Sequence, residues 1–328
     1  MNTMLRLTGF VLAAAIALAT PATAADVTIR FSCAAPPSDF LSKALEAFKA
    51  EVENANVGVK VETYPGSVLF RQGTEVPALQ RGNLEMSTMT TFEVAQQMPE
   101  YGLFNRAYLF RDYAHLRKVF DGPIGADYRK KVADKMGIEI LAVAYLGTRQ
   151  VNLRAKRDVK GPDDLAGAKM RMPGGPEWLL LGRTLGVSPM PLGMPEVYLA
   201  LKTGSIDGQE NPLTIMNAAK FHEVTEQVVL TSHLVQPVFF NIAKPFWDKL
   251  STEQKKLVET AAKSAAKGND EARLADEKSV AEALKGKGLT VTVIDLGPFR
   301  KLADKVYAES DLAKQWDQAL MKQVMDIP

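Results

Sequence analysis

Residues 169–213 read KMRMPGGPEWLLLGRTLGVSPMPLGMPEVYLALKTGSIDGQENPL, and the fold class is predicted from this segment. It opens with a short apolar strand. The Gly-Gly-Pro sequence that follows predicts a helix start with proline at the first helical position, and a helix over residues 177–185. A second helix is expected at 196–202, ending at Gly204, and a turn is expected at 209–212. This alternation of strand and helix indicates an α/β protein.

Arg171 lies between two methionines in that first strand, where the pattern predicts burial. Its guanidinium stays charged at neutral pH and offers a planar fork of donors, so a buried arginine requires an anion of matching geometry. The common partner is an Asp or Glu of the same chain. A carboxylate that arrives on a ligand is the alternative, and at this point both remain open.

The same alternation extends over the rest of the chain, which predicts a mainly parallel sheet covered by helices on both faces. Ligands of such sheets bind beyond the carboxyl ends of the strands. Helices are expected near residues 41–52, 74–80 and 298–320, and strands at 27–31, 57–62, 84–89, 138–145, 227–230, 235–242 and 289–294.

The strand at 138–145 continues through Gly147 into residues 148–151. We expect it to leave one domain and enter the next. Arg149 would then lie at the domain junction, which is where two-domain proteins usually hold their ligands.

A long helical segment follows Ser251, which forms a capping box with Gln254. Helix-forming residues continue from there to residue 284. A helix of that length exceeds the span of a small domain, so we expect it to brace both domains. Gly268 and Asn269 are the expected place for a kink or a break.

The amino terminus has the pattern of a secretory signal peptide over residues 1–25. Arg6 precedes an apolar run at 9–19, which is too short to span a bilayer. The Ala-x-Ala pattern predicts cleavage near Ala24 or Ala25. We therefore expect an exported protein in the periplasm.

Composition argues against nucleic acid as a partner. The chain has 328 residues and a formal net charge of +2, which removal of the signal peptide lowers further. A nucleic-acid binder needs a concentrated basic face. The basic cluster of Arg154, Lys156 and Arg157 is short and lacks interleaved aromatic residues, so we interpret it as a solvated turn.

Signals of catalysis are missing from the sequence. The histidines, His115, His222 and His233, are scattered and do not match a metal-binding spacing. Nucleophile-elbow, dinucleotide and P-loop motifs do not occur. Asp163 and Asp164 fit a helix cap better than an acid/base pair. We therefore expect no catalytic residues, no metal and no cofactor, and a binding protein rather than an enzyme.

Four blocks, read in order, resemble one family, the substrate-binding proteins of tripartite ATP-independent periplasmic (TRAP) transporters, dicarboxylate-binding type. The blocks are YLGTRQ at 145–150, LAGAKMRMP at 165–173, EVYLALKTG at 196–204 and IDGQENPL at 206–213. The resemblance covers essentially the whole chain after the signal peptide. It implies a two-lobed, type II-like periplasmic binding protein in which a long helix spans both lobes. It also implies a small organic acid as ligand, and small and large membrane subunits as partners.

The resemblance also implies roles for particular residues. Arg171 matches the arginine that forms a two-pronged salt bridge with the ligand carboxylate, and Asn211 matches an asparagine that hydrogen-bonds the same group. Arg149 matches a second basic residue at the cleft. Such a set satisfies both carboxylate oxygens and disfavours neutral analogues.

Further lining positions differ from the sialic-acid-binding branch. Gly174, Met194 and Thr90 stand where that branch often carries Asn, Phe and Glu. Gln72, Thr90 and Gln236 are neutral groups suited to hydroxyls, which favours a hydroxylated carboxylate such as a sugar acid. Trp178 is expected either to stack on the ligand or to pack in the core.

The chain after the signal peptide is expected to form two lobes. We assign residues 26–146 plus 237–277 to lobe I and 147–236 plus 278–328 to lobe II. The default oligomeric state is a monomer. The alternatives are a periplasmic enzyme acting on a small carboxylic acid, the same binding protein specific for a dicarboxylate or another organic acid, and a ligand-presenting subunit of a sensor.

Overall fold

The computed structural model describes residues 27–328, so the predicted signal peptide and its cleavage site lie outside the described residues. Within them, nine strands form one sheet in the order β2-β1-β3-β8-β4-β7-β5-β6, with β9 paired to β8. The strands are β1 (Val27–Ser32), β2 (Val59–Tyr64), β3 (Met86–Met89), β4 (Ile138–Leu153), β5 (Lys169–Met172), β6 (Ser188–Pro191), β7 (Gly208–Pro212), β8 (Gln227–Ala243) and β9 (Thr290–Val293).

Thirteen α-helices cover the sheet in the described part of the chain. They are α1 (Phe40–Asn54), α2 (Glu75–Gln80), α3 (Thr91–Ala95), α4 (Tyr113–Asp121), α5 (Pro123–Met136), α6 (Pro176–Thr184), α7 (Val197–Thr203), α8 (Leu213–Ala218), α9 (Lys244–Trp247), α10 (Thr252–Glu277), α11 (Val280–Gly286), α12 (Gly297–Glu309) and α13 (Gln318–Asp326). Short 3-10 segments lie at Pro99–Asn105, Pro162–Leu165, Met194–Glu196, Phe221–Glu223 and Ala313–Gln315. No helix in residues 27–328 combines the length and the apolar character that crossing a membrane requires.

The sheet has two parallel portions joined by a pair of long strands. In the first lobe, built on β1 to β3, β1 pairs in parallel with β2 and β3. In the second lobe, built on β5 to β7, β5 pairs in parallel with β6 and β7. β4 and β8 run antiparallel to each other through both lobes. The predicted α/β sheet is confirmed, with an antiparallel centre that shares its strands between the lobes.

The crossing point of β4 lies at Gly147, where its register with β8 shifts. Gly147 has a φ of +123°, and a Cβ there would lie 2.5 Å from the Pro212 side chain. Glycine is therefore required at this position both by the backbone conformation and by the space. The predicted lobe boundary after residue 146 falls at this point, and the boundaries themselves stay a prediction.

Two sequence expectations about strands are wrong. The expected turn at 209–212 is the buried strand β7, which pairs with β4 and β5. Its polar residues suggested a turn, but they are buried because their side chains bond mainly to β4 and β8, with Glu210 pairing with Arg149 and Gln209 donating to Asn152. The two expected strands at 227–230 and 235–242 are one strand, β8, which passes through Ser232 with a positive φ of 41°.

α10 is a continuous helix of 26 residues, about 39 Å long at 1.5 Å per residue. The predicted capping box of Ser251 and Gln254 begins it. It packs on α1 of the first lobe, on α8 of the second and on β4 between them, so the predicted brace is confirmed. The expected break at Gly268 is wrong, because the interruption lies after Glu277 instead.

Asn269 does not break α10, and its side chain bonds to β4 as well as to residues of its own helix. Its Nδ2 donates to the Tyr145 carbonyl oxygen at 2.9 Å, and Asp270 Oδ1 accepts from the Tyr145 backbone N–H at 2.7 Å. Further along the helix, Glu277 accepts from the Thr148 N–H at 3.2 Å. α10 is therefore fixed to β4 on both sides of the crossing point.

The apolar core is divided by the sheet rather than by the lobes. One cluster contains Val143 and Tyr145 of β4 and the aromatic residues of the 101–120 segment. The other contains Ala144 and Leu146, whose side chains point to the opposite face. Each cluster includes residues from both lobes. The two lobes therefore share both apolar clusters, and neither cluster belongs to one lobe alone.

Candidate ligand-binding cavity

A cavity lies between the two lobes at the ends of the sheet strands. Its empty space is about 730 Å³ when the open mouth is included. The lining combines apolar walls with a few charged and amide side chains. The polar lining residues are Gln72, Glu75, Thr88, Thr90, Glu93, Arg149, Arg171, Asn211 and Gln236.

Arg171 in β5 is 1% exposed and reaches the cavity from the second lobe. Its Nε donates to the Leu192 carbonyl oxygen at 2.8 Å, and its Nη2 donates to Gln72 Oε1 at 2.8 Å. It forms no ion pair with an Asp or Glu within 4.0 Å among residues 27–328. The internal salt bridge that would have explained this arginine is therefore absent from the described structure.

Burial lowers the pKa of Arg171 to about 9, with the charge of Glu210 opposing and the charge of Arg149 adding to that change. The guanidinium is still a cation at neutral pH. A buried cation whose protein partners are two neutral oxygens retains unused capacity for an anion.

Arg149 has a different environment, because its carboxylate is supplied by the chain itself. Its Nε donates to Glu210 Oε2 through a short contact, and its Nη2 donates to Glu210 Oε1 at 2.6 Å and to the Glu210 carbonyl oxygen at 2.7 Å. Nη1 donates to Gln236 Oε1 at 2.7 Å. The guanidinium also lies 4.8 Å from the centre of the Trp178 ring. One Nη1 hydrogen is left over from this set, so Arg149 mainly braces the cavity wall.

Glu210 and His233 complete this buried group, and sequence reasoning missed both. Burial would raise the pKa of Glu210, but the charge of Arg149 and hydrogen bonds from His233 and Arg149 hold it below its ordinary value. His233 Nε2 lies 3.0 Å from Glu210 Oε2, and its Nδ1 lies 2.8 Å from Thr231 Oγ1. Burial lowers the pKa of His233, so the ring is neutral at neutral pH.

Asn211 and Gln236 present amide groups next to the two arginines. Asn211 Nδ2 donates to Gln209 Oε1 at 2.6 Å, which leaves its second hydrogen. Gln236 is 1% exposed, and its Nε2 has no hydrogen-bond partner in the described part of the chain. A buried amide donor without a partner is costly unless a ligand acceptor satisfies it.

The first lobe contributes the opposite wall. Gln72 Oε1 accepts from Arg171 and also from the Met194 N–H at 3.0 Å, so it bridges the cleft. Thr90 lines the cavity and begins α3 with a capping box that includes Glu93. Met194 lies in the lining with 9% of its surface exposed.

Of the two remaining predicted site residues, Trp178 lines the cavity and Gly174 does not. The Trp178 ring stacks on Phe92 of the first lobe, with ring centres 3.5 Å apart and planes 7° apart, and Trp178 also lines the cavity. Packing of this tryptophan in the protein interior is therefore observed, and stacking on a ligand stays a prediction. Gly174 is exposed and is not part of the lining.

Two further acidic residues of the lining, Glu75 and Glu93, were not singled out from the sequence. Glu75 is 6% exposed, and burial raises its pKa to about 7, with a contribution from Glu93. Glu75 lies three positions after Gln72, at the start of the helix expected at 74–80, and its nearness to Gln72 was the available signal. Among residues 27–328, no group of three or more His, Cys, Asp and Glu side chains is placed to hold a metal ion.

Comparisons with known proteins agree on one family. The model of the bacterial extracellular solute-binding protein family 7 matches residues 31–313. A TRAP periplasmic solute-binding protein of Roseobacter denitrificans, solved with 3-deoxy-D-manno-oct-2-ulosonic acid, is 38% identical, with a TM-score of 0.87 over 92% of this chain and 99% of that one. Another from the same species, solved with L-galactonate, is 26% identical, with a TM-score of 0.84 over 92% and 99%. The C4-dicarboxylate-binding periplasmic protein of Rhodobacter capsulatus is 32% identical over 85% of this chain and 83% of that protein.

Proposed function

The chain belongs to family 7 of the bacterial extracellular solute-binding proteins, the periplasmic binding proteins of TRAP transporters, and we propose from its cavity that it captures a hydroxylated carboxylate such as a sugar acid. This is a family of binding proteins and not of enzymes. We further propose that the loaded protein delivers its ligand to the small and large membrane subunits of its transporter.

The observation that carries the ligand class is the environment of Arg171. A buried guanidinium with neutral partners favours an incoming carboxylate, whose two oxygens match its fork of donors. Gln72 Oε1 is a neutral acceptor for Arg171 Nη2. A carboxylate would replace that neutral acceptor with a charged one, which forms the stronger hydrogen bond.

Hydroxyl recognition rests on the other polar side chains of the lining. The leftover hydrogens of Asn211, Arg149 and Gln236 are donors, and Thr90 and Glu75 can accept from hydroxyl groups. Relatives solved with L-galactonate, D-erythronate and D-glucuronate support this class by analogy.

A thermal-shift screen of sugar acids followed by calorimetry tests the proposal. A ligand at about 100 times its Kd adds about 2.7 kcal/mol of stability. We expect Arg171→Ala to lose at least about 2 kcal/mol of binding free energy, because the ligand carboxylate then lacks its charged partner. Arg183→Ala is the matched control, since Arg183 is exposed on α6 and lies outside the lining. Equal affinity of Arg171→Ala and wild type for the same acid would refute the anchor.

A further inference from the structure

The cavity is electrostatically asymmetric from one lobe to the other. The second lobe supplies Arg171, and the shared strand β4 supplies Arg149. The first lobe supplies Glu75 and Glu93 and contributes no cationic residue to the lining. A ligand whose carboxylate contacts Arg171 therefore extends toward acidic groups.

Glu75 is the better placed of these two carboxyls to contact a ligand. Glu93 is engaged locally, because its Oε2 accepts from the Thr90 N–H at 2.8 Å and from the Thr90 hydroxyl. Glu75 accepts from the Gly73 N–H at 2.8 Å through Oε2, and it forms no ion pair within 4.0 Å in the described chain. Glu75 lines the cavity, and a carboxylate has more acceptor sites than the Gly73 N–H uses.

We propose that Glu75 is a specificity-determining residue that accepts hydrogen bonds from the hydroxyl end of the ligand and rejects ligands with a second carboxylate at that end. This inference rests on the proposed function and narrows its ligand class to hydroxylated monocarboxylates. An ionised carboxylate accepts from hydroxyls but repels a like charge, and the low exposure of the site strengthens that repulsion.

The ionisation of Glu75 gives this selectivity a pH dependence. Its pKa of about 7 arises from burial and from the neighbouring Glu93. The cationic residues that line the same cavity are Arg149 and Arg171. Below that pKa the carboxyl is neutral and can donate to a second carboxylate, so discrimination weakens as the pH falls.

Matched pairs of acids that differ only at the terminal carbon provide the test. In D-erythronate and meso-tartrate, and in D-galactonate and galactarate, that carbon is a CH₂OH in the first acid and a carboxylate in the second. Calorimetry on the full-length exported protein would give the affinity ratio within each pair. We expect wild type at about pH 8.5 to prefer the monocarboxylate by at least about tenfold, and by less at about pH 5.5.

Glu75→Gln keeps the shape of the side chain and removes its charge. We expect it to bring the ratio within about threefold at both pH values, because the like-charge repulsion is gone. Glu46→Gln is the charge-matched control, since Glu46 is exposed on α1 of the same lobe and lies outside the lining. We expect it to behave as wild type.

The outcomes distinguish a failure of the role of Glu75 from a failure of the proposed function. A wild type that binds the monocarboxylates, with a ratio that Glu75→Gln leaves unchanged at both pH values, would overturn the role of Glu75 alone. A wild type that binds neither member of either pair, nor any acid of the wider screen, would overturn the proposed function and this inference with it. If Glu75→Gln does not fold, a wild-type ratio that is the same at both pH values overturns the inference.

Discussion

Replacing Glu210 with Gln tests the buried group that holds Arg149. Glu210 is fully buried and accepts hydrogen bonds from Arg149 and His233. The substitution keeps the shape but places an amide NH₂ against donors of both residues, and it leaves the Arg149 charge without its carboxylate. Breaking a buried pair in this way costs about 3–5 kcal/mol.

That loss translates into a measurable change of melting temperature. With about 300 ordered residues and an unfolding entropy of about 2.1 cal/mol/K per residue, 3–5 kcal/mol corresponds to roughly 5–8 °C. Urea unfolding would give the free energy directly. Glu282→Gln is the control, because Glu282 pairs with Lys285 at the surface, where ion pairs contribute little.

A double-mutant cycle with Arg149→Met completes the test. When both charged groups are removed, no uncompensated charge stays buried, so we expect the double variant to lose clearly less than the sum of the two single variants. Additive losses, or a loss below about 1 kcal/mol for Glu210→Gln, would show that the pair does not brace the cavity wall as described.

Three further predictions concern other parts of the fold. Gly147→Ala is expected to lower the free energy of unfolding by more than about 1 kcal/mol, seen in urea unfolding, because its Cβ would lie 2.5 Å from Pro212 at a φ of +123°. Glu177 has a pKa raised to about 7 by burial, so the folded state retains a proton that the unfolded state loses above its ordinary value of 4.5. Stability from this group is therefore lost as the pH rises from about 4.5 to 7, and Glu177→Gln should stabilise the protein at pH 8 by roughly 2–3 kcal/mol but hardly at pH 4.5. Arg273→Met is expected to cost about 3–5 kcal/mol in the same assay, because it leaves Asp39 buried without its partner at 2.6 Å, and Asp39→Asn should partly rescue it.

Features of the fold were predictable from the sequence where a single local pattern, such as an apolar run or a helix cap, determined the structure. The strand that continues through Gly147 was predictable because its apolar run exceeds the length of an ordinary strand. The helix after Ser251 was predictable from its cap and from its unbroken helix-forming residues. The burial of Arg171 was predictable from the methionines on both sides of it, and its role toward a ligand carboxylate stays a prediction from the family resemblance.

Other features depended on contacts between distant residues. The polar segment at 209–212 has the composition of a turn, yet it is a buried strand because Glu210 pairs with Arg149, which lies 61 positions earlier. The same contact supplies Arg149 with a carboxylate from its own chain, which spacing alone could not predict. Gly268 and Asn269 do not break α10, because the Asn269 side chain bonds to Tyr145. Glu75 acquires its character from burial, which its place in a short polar segment did not reveal.

The division of the apolar core by the sheet makes the unfolding of the two lobes cooperative. Each apolar cluster contains residues of both lobes. Unfolding of either lobe would therefore expose apolar residues of both clusters to water. Neither lobe has an autonomous core to retain, so calorimetry should record a single transition, and a fragment ending at residue 146 should not fold on its own. Ligand capture and global cooperativity thus depend on the same two long strands, β4 and β8.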